Sequence, residues 1–267
     1  MKKIYQSIWV ELPYPVVQIT NVRMEMGKNT HTFLRITAVC ADENGEELIH
    51  QPIEEESVQA GFYEHEVFGI PFFTGRILSV TTCYDKGQLT LELCAASMTC
   101  LWNIIRRKRS FQNLDATYEQ VMKKVLENHP QAEIKDCITG GRTIPDFLLQ
   151  YEETDWDFLI RLASHFQSFV IPDYKEGHGR AYFGIPDLGA ETVLREEDYE
   201  TVKDLENYMQ VNLDGQLMQQ EAIRWNVKTY HSFVLAQKVT FRGISAVVTR
   251  INYQTVDGEL CRFYELS

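Results

Sequence analysis

At 267 residues, 44% hydrophobic and 12% aromatic, the chain has room for one large or two smaller domains with a real core. Its formal net charge of −12 argues against binding nucleic acid through phosphate neutralisation and against docking on an anionic membrane. No stretch approaches the ~18 continuous apolar residues of a membrane helix, so no membrane insertion is expected. Tyr5, Gln6 and Ser7 interrupt the segment after Met1-Lys2-Lys3, which leaves no signal peptide and points to a protein made and retained in the cytoplasm.

Residues 1–100 read as β. Val16, Val17 and Ile19 form a short apolar run, and Thr32 to Val39 has the mixed β-branched and polar character of a strand. Asp42-Glu43-Asn44-Gly45 reads as a turn, and Glu46 to Glu56, with Pro52, as a loop. Val67 to Val80 reads as strand, break, strand, with Pro71 at the break. Tyr84-Asp85-Lys86-Gly87 is a turn, and Leu89, Leu91 and Leu93 then share one face of a strand. Strands separated by turns suggest a small barrel or sandwich.

The character changes near residue 100. Arg106-Arg107-Lys108-Arg109 reads as a solvated loop or salt-bridged surface rather than a nucleic-acid contact. Asp115 or Thr117 can cap a helix carrying Tyr118, Val121, Met122, Val125 and Leu126 at helical spacing, stopped by Pro130. Ile134 to Ile138 is a short strand closed by Gly140-Gly141, and after Pro145 comes the most apolar helix of the chain. Thr154 can cap that helix, with Asp157 as a weaker partner in a capping box. Asp155 and Asp157 suit the positive end of its dipole. Trp156, Leu159, Ile160 and Ala163 form one face, which Phe158, Leu162 and Phe166 widen, so burial on more than one side is expected.

Beyond the helix the pattern returns to β. Phe169–Pro172 and Arg180–Pro186 flank Lys175–Gly179 as a hairpin, and residues 187–210 are acidic and less regular. Ile223–Val227, Val239–Phe241 and Ala246–Tyr253 are strands, and Gln254–Gly258 turns a last hairpin into Leu260–Leu266. The fold class is β-rich α+β. The division is 1–105, possibly completed by strands from 195–225, then 106–168 as a helical insert and 169–267 as a second β region.

No phosphate-binding glycine loop, G-x-S-x-G elbow or H-E-x-x-H is present. Tyr63-Glu64-His65-Glu66 is the best metal-like cluster, yet in an extended segment His65 faces away from both glutamates. Glu152, Glu153, Asp155 and Asp157 fit helix capping better than a glycosidase pair. The six cysteines include no C-x-x-C and read as free thiols. No catalytic, metal or cofactor residue is assigned, and no cofactor is expected.

The order of segments carries a resemblance. Gln150-Tyr151-Glu152-Glu153-Thr154-Asp155-Trp156-Asp157-Phe158-Leu159-Ile160-Arg161-Leu162-Ala163 resembles the Q-Y-x-E-T-D-W-D-F-L-x-R-L signature of the baseplate hub family of contractile injection systems. That family comprises VgrG proteins of type VI secretion and the late control gene D tail hub proteins of phages. Ser110–Val121 resembles its Phe-Gln segment before a helix, and Phe73–Val80 a strand end in its first barrel. The resemblance implies a phage tail hub-like fold, with two small β-barrel domains over 1–105 and 169–267 and the helical insert beside them, and a structural, non-enzymatic role. Three copies would form a pseudo-sixfold ring, a symmetry adaptor joining a hexameric inner tube, or its initiator protein, to a trimeric spike among other baseplate proteins. The signature residues Tyr151, Glu153, Thr154, Asp155, Trp156, Asp157, Phe158, Leu159, Arg161 and Leu162 would then be structural. Made in the bacterial cytoplasm, the protein would be built into a phage tail or injection-particle baseplate. VgrG proteins continue into an OB-fold and a β-helical spike; none lies within these 267 residues, so the spike is expected either as a separate protein or as a segment beyond Ser267. Part of the negative charge is expected to line the axial channel and repel an acidic cargo. The competing readings are a cell-wall-degrading tail enzyme and a sugar- or protein-binding β module.

Overall fold

Alternation sets the first part of the chain. Leu34, Ile36 and Ala38 are fully buried while Arg35 between them is exposed, the period of two expected of a half-buried strand. The structure, a computed structural model, describes residues 2–5, 7–40, 57–189, 191–195, 198–203, 205, 223–256 and 259–267. Its first strands are β1 (Lys2–Tyr5), β2 (Ile8–Glu11), β3 (Val16–Gly27), β4 (Phe33–Cys40), β5 (Ser57–Glu64), β6 (Val67–Asp85) and β7 (Gln88–Ser97), followed by a 3-10 turn at Met98–Asn103. Next come β8 (Arg106–Phe111), α1 (Tyr118–Val125), β9 (Glu133–Asp136), β10 (Leu148–Thr154), α2 (Asp155–Ser164), β11 (Val170–Pro172) and β12 (Arg180–Phe183). The remainder is β13 (Thr192–Leu194), β14 (Tyr199–Lys203), β15 (Ile223–Thr229), β16 (Lys238–Phe241), β17 (Ile244–Val256) and β18 (Glu259–Leu266).

Among the described residues one large sheet runs β1-β2-β5-β6-β7-β4-β3-β17-β18-β15-β14. Its ladder joins the first and last parts of the chain where β3 meets β17, with Met26 opposite Ile251 and Met24 opposite Tyr253. The other half of β17 pairs with β16, which β13 joins in parallel. No hydrogen-bonded ladder closes this path into a ring among the described residues. Between its two parts sit the β8–β10 ribbon and a β11-β12-β9 sheet, carrying both helices. The β-rich α+β class is as expected.

Two cores follow. One underlies the large sheet and includes Ile36, Phe73, Leu91, Phe241, Ile251 and Tyr264. The other belongs to the insert and gathers Trp102, Met122, Trp156, Phe158, Leu159 and Leu162. The 169–186 hairpin forms as read from sequence, antiparallel from Val170 opposite Phe183. So do the turn at Lys86-Gly87, where both φ are positive, and the last hairpin of β17 and β18. The six cysteines are free; Cys40, Cys100 and Cys261 are buried and Cys83 is exposed.

The structure differs from the sequence reading in several places. Val67 to Val80 is not interrupted: it lies in one 19-residue strand. Pro71 is tolerated because it pairs with Gly61 where the ladder shifts register, and a bulge does not require its missing N–H. Glu64-His65-Glu66 is not extended throughout; His65 and Glu66 have φ of 51° and 63° and turn the β5–β6 hairpin. The segment after Pro145 is first a strand, β10, and only then a helix. Helix α1 ends at Val125, short of Pro130. The expected turn at Asp42–Gly45, the loop at 46–56, and most of the stretch 204–222 lie outside the described residues, as do residues 257–258 of the last turn.

Candidate functional site

The signature residues converge where β8, β10 and α2 meet. Thr154 ends β10 and caps α2: its Oγ1 accepts the Asp157 N–H at 3.1 Å and donates to Asn103 Oδ1 at 2.6 Å. The Asp157 side chain is exposed, and the reciprocal capping-box bond forms instead at α1, between Thr117 and Gln120. Asp157 is therefore a first-turn acid that suits the dipole and no more.

Asp155 departs from expectation. Its side chain is only 2% exposed and anchors a buried polar cluster. Arg109 Nη2 from β8 donates to Asp155 Oδ1, which also accepts from Gln150 Nε2 at 3.0 Å. His129, between α1 and β9, donates from Nε2 to Asp155 Oδ2 at 2.8 Å. Arg109 Nε also donates to Gln150 Oε1 at 2.7 Å. One carboxylate thus ties three elements together. Sequence spacing missed this because 46 residues separate Arg109 from Asp155. The basic run is also no loop: Arg106–Arg109 lies in β8, alternating exposed and half-buried. The salt-bridged surface expected of it is present, with Lys108 2.8 Å from Glu152.

A second pair stiffens the turn into α2. Arg161 donates to both Glu153 oxygens, at 2.8 and 3.0 Å, and to the Leu149 carbonyl at 2.6 Å. Its guanidinium also lies 4.9 Å from the Phe158 ring centroid. Glu152 takes a positive φ of 53° at the β10 bulge, which lets Glu153 and Thr154 turn into the helix. Tyr151 stays exposed, with Lys108 over its ring.

Trp156 locks the insert to the large sheet. It is 2% exposed, its ring 4.4 Å from His31 on the β3–β4 turn and 6.2 Å from Trp102. His31 Nδ1 meets Thr99 Oγ1 at 3.0 Å, while its Nε2 is buried without a partner. Burial lowers the His31 pKa to about 4, with nearby Asp157 opposing the shift. Phe158, Leu159 and Leu162 are fully buried, so α2 is enclosed on more than one side as the periodicity requires. Around α2 the charged groups Arg109, His129, Asp155, Glu153 and Arg161 are engaged with one another.

Comparison with known proteins agrees with this architecture. Residues 72–184, from β6 to just past β12, match the family model of the phage tail baseplate hub (GPD). Among solved structures, an E. coli protein, c3393, is described as a type VI secretion component structurally similar to the bacteriophage T4 tail proteins gp27 and gp5. It matches with a TM-score of 0.70 at 13% identity, over 98% of this chain and 76% of that one. The 43 kDa tail protein of prophage MuSo2 from Shewanella oneidensis matches with a TM-score of 0.68 at 10% identity, over 98% and 97%. A chain of the Francisella PdpA–VgrG complex matches at 0.57 and 9% identity, over 93% of this chain and 53% of that one. No curated protein is a significant match to the sequence. The resemblance to the baseplate hub family is borne out.

Proposed function

We propose that this baseplate hub-like protein is the trimeric symmetry adaptor of a phage tail or related injection machine, joining an inner tube to a spike. The observation that supports it is the coincidence of the family match with the signature junction. Residues 72–184 enclose the whole of β8, β10 and α2, whose charged groups brace one another. In this reading residues 1–105 and 169–267 supply the two barrel units, except that β11 and β12 pair with β9 and join the core of the 106–168 insert that braces them. The ten signature residues from Tyr151 to Leu162 hold shape and touch no substrate. The role is mechanical, and the protein is incorporated into the baseplate after synthesis. An acidic channel wall belongs to the same reading, and a neutral or basic inner wall in an assembled ring would count against it.

Native mass measurement, alone and mixed with the spike and tube proteins encoded beside it, tests the assignment. Three copies per particle, alone or with a partner, are expected. A stable monomer that hydrolyses cell wall would overturn it in favour of a tail enzyme.

A further inference from the structure

A cleft on the outer face of the large sheet contradicts the charge of the chain around it. Its volume is about 330 Å³, and Arg23 of β3, Arg35 of β4 and Arg250 of β17 line it with Glu25, His31 and Asn252. Three guanidiniums therefore face one lining carboxylate in a protein whose formal net charge is −12. Arg23 and Arg35 are direct cross-strand partners, and like charges in that register repel. Glu25 serves both, 2.8 Å from Arg23 and 3.4 Å from Arg35. Arg250 forms no ion pair among the described residues. Its own cross-strand neighbour Glu265 is engaged by Arg224 at 3.4 Å and by Thr249 Oγ1 at 2.8 Å.

The lining also holds unused polar capacity. His31 is 7% exposed and its Nε2 has no partner; in the tautomer whose Nδ1 accepts from Thr99, Nε2 carries a proton to donate, and in the other Nε2 is a free acceptor. The Asn252 Oδ1 is likewise buried and unpaired, and a half-turn of the amide presents its NH2 instead. Buried polar groups normally find partners, so two in one cleft mark a place for one.

We propose that this cleft binds a carboxylate side chain of an acidic peptide segment on a partner protein, gripped by Arg35 and Arg250 above His31. Glu25 shows that a carboxylate suits these arginines: its Oε1 lies within ion-pair distance of both Arg23 and Arg35. The volume suits one or two side chains rather than a folded domain. The assignment does not depend on the number of copies in the assembly, so it stands or falls separately from the hub reading.

The test uses the full chain and a hexaglutamate peptide, with hexaglutamine and inorganic phosphate as comparisons. Affinity is measured by titration calorimetry, and the His31 imidazole signal is followed by NMR. Hexaglutamate is expected to bind, to weaken with added salt, and to shift the His31 signal; hexaglutamine is not. Arg35→Gln and Arg250→Gln should each weaken binding by about tenfold. Should Arg35→Gln fail to fold, the exposed Arg250 variant carries the comparison. Equal binding of hexaglutamine, unchanged affinity in Arg250→Gln, or displacement of the peptide by equimolar phosphate would overturn the proposal.

Discussion

Replacing Asp155 with alanine removes the acceptor shared by Arg109, Gln150 and His129. Two readings of this residue predict different costs. As a helix-start acid at the surface, it would contribute about 0.3–1 kcal/mol through the dipole. As found, its side chain is 2% exposed, and the Arg109 and His129 side chains around it are 19% and 14% exposed. Deleting one partner of such a pair leaves a buried charge uncompensated and costs about 3–5 kcal/mol. At roughly 2–4 °C per kcal/mol for a chain of this size, Tm should fall on the order of 10 °C. Urea unfolding followed by circular dichroism measures the loss. A double-mutant cycle with Arg109→Met isolates the pair, and the double variant should recover part of the stability because the stranded cation is gone. A loss under about 1 kcal/mol, with no coupling to Arg109, would refute the buried-anchor account and restore the capping one.

Trp156→Ala should cost about 3–5 kcal/mol by urea unfolding, since it empties the space between His31 and Trp102. Thr154→Ala should cost about 1–2 kcal/mol, more than Asp157→Asn, because it removes the α2 cap and the partner of Asn103, whereas the Asp157 side chain is exposed. His31 gives a pH signature. Its unfolded imidazole takes a proton near 6.5 and its folded one only near 4. Between those values the unfolded state holds more protons, so stability present above pH 6.5 is lost as pH falls towards 4. The full effect is at most on the order of 3 kcal/mol, and unfolding curves of His31→Phe across that range should show a flatter pH dependence than the parent.

Legibility followed the range of the interactions. The alternation of Leu89, Leu91 and Leu93, the helical spacing from Trp156 to Ala163 and the Thr154 cap all appear where their local patterns place them. What local pattern could not supply was partnership. Arg109 and Asp155 are joined only because β8 pairs with β10, with Gln150 opposite Arg109. A signal did exist: Arg107, Arg109 and Phe111 alternate with exposed Arg106, Lys108 and Ser110, the period of a strand rather than a loop. The arginine cleft was harder to see, since Arg23, Arg35 and Arg250 come from three strands and meet only in the assembled sheet.

The meeting of β3 with β17 has a consequence for biogenesis. Gly27 leaves the ribosome early, and its ladder partner Arg250 is translated far later, after roughly 10–45 s at bacterial elongation rates. Until then the β3 flank that will receive β17 has none of its final hydrogen bonds to that strand, and an unsatisfied strand edge invites pairing with other chains. Completion of the large sheet therefore waits for β17 and is slow, as distant pairing requires. A nascent chain stalled before residue 244 should recruit chaperones or aggregate, while the released polypeptide matures.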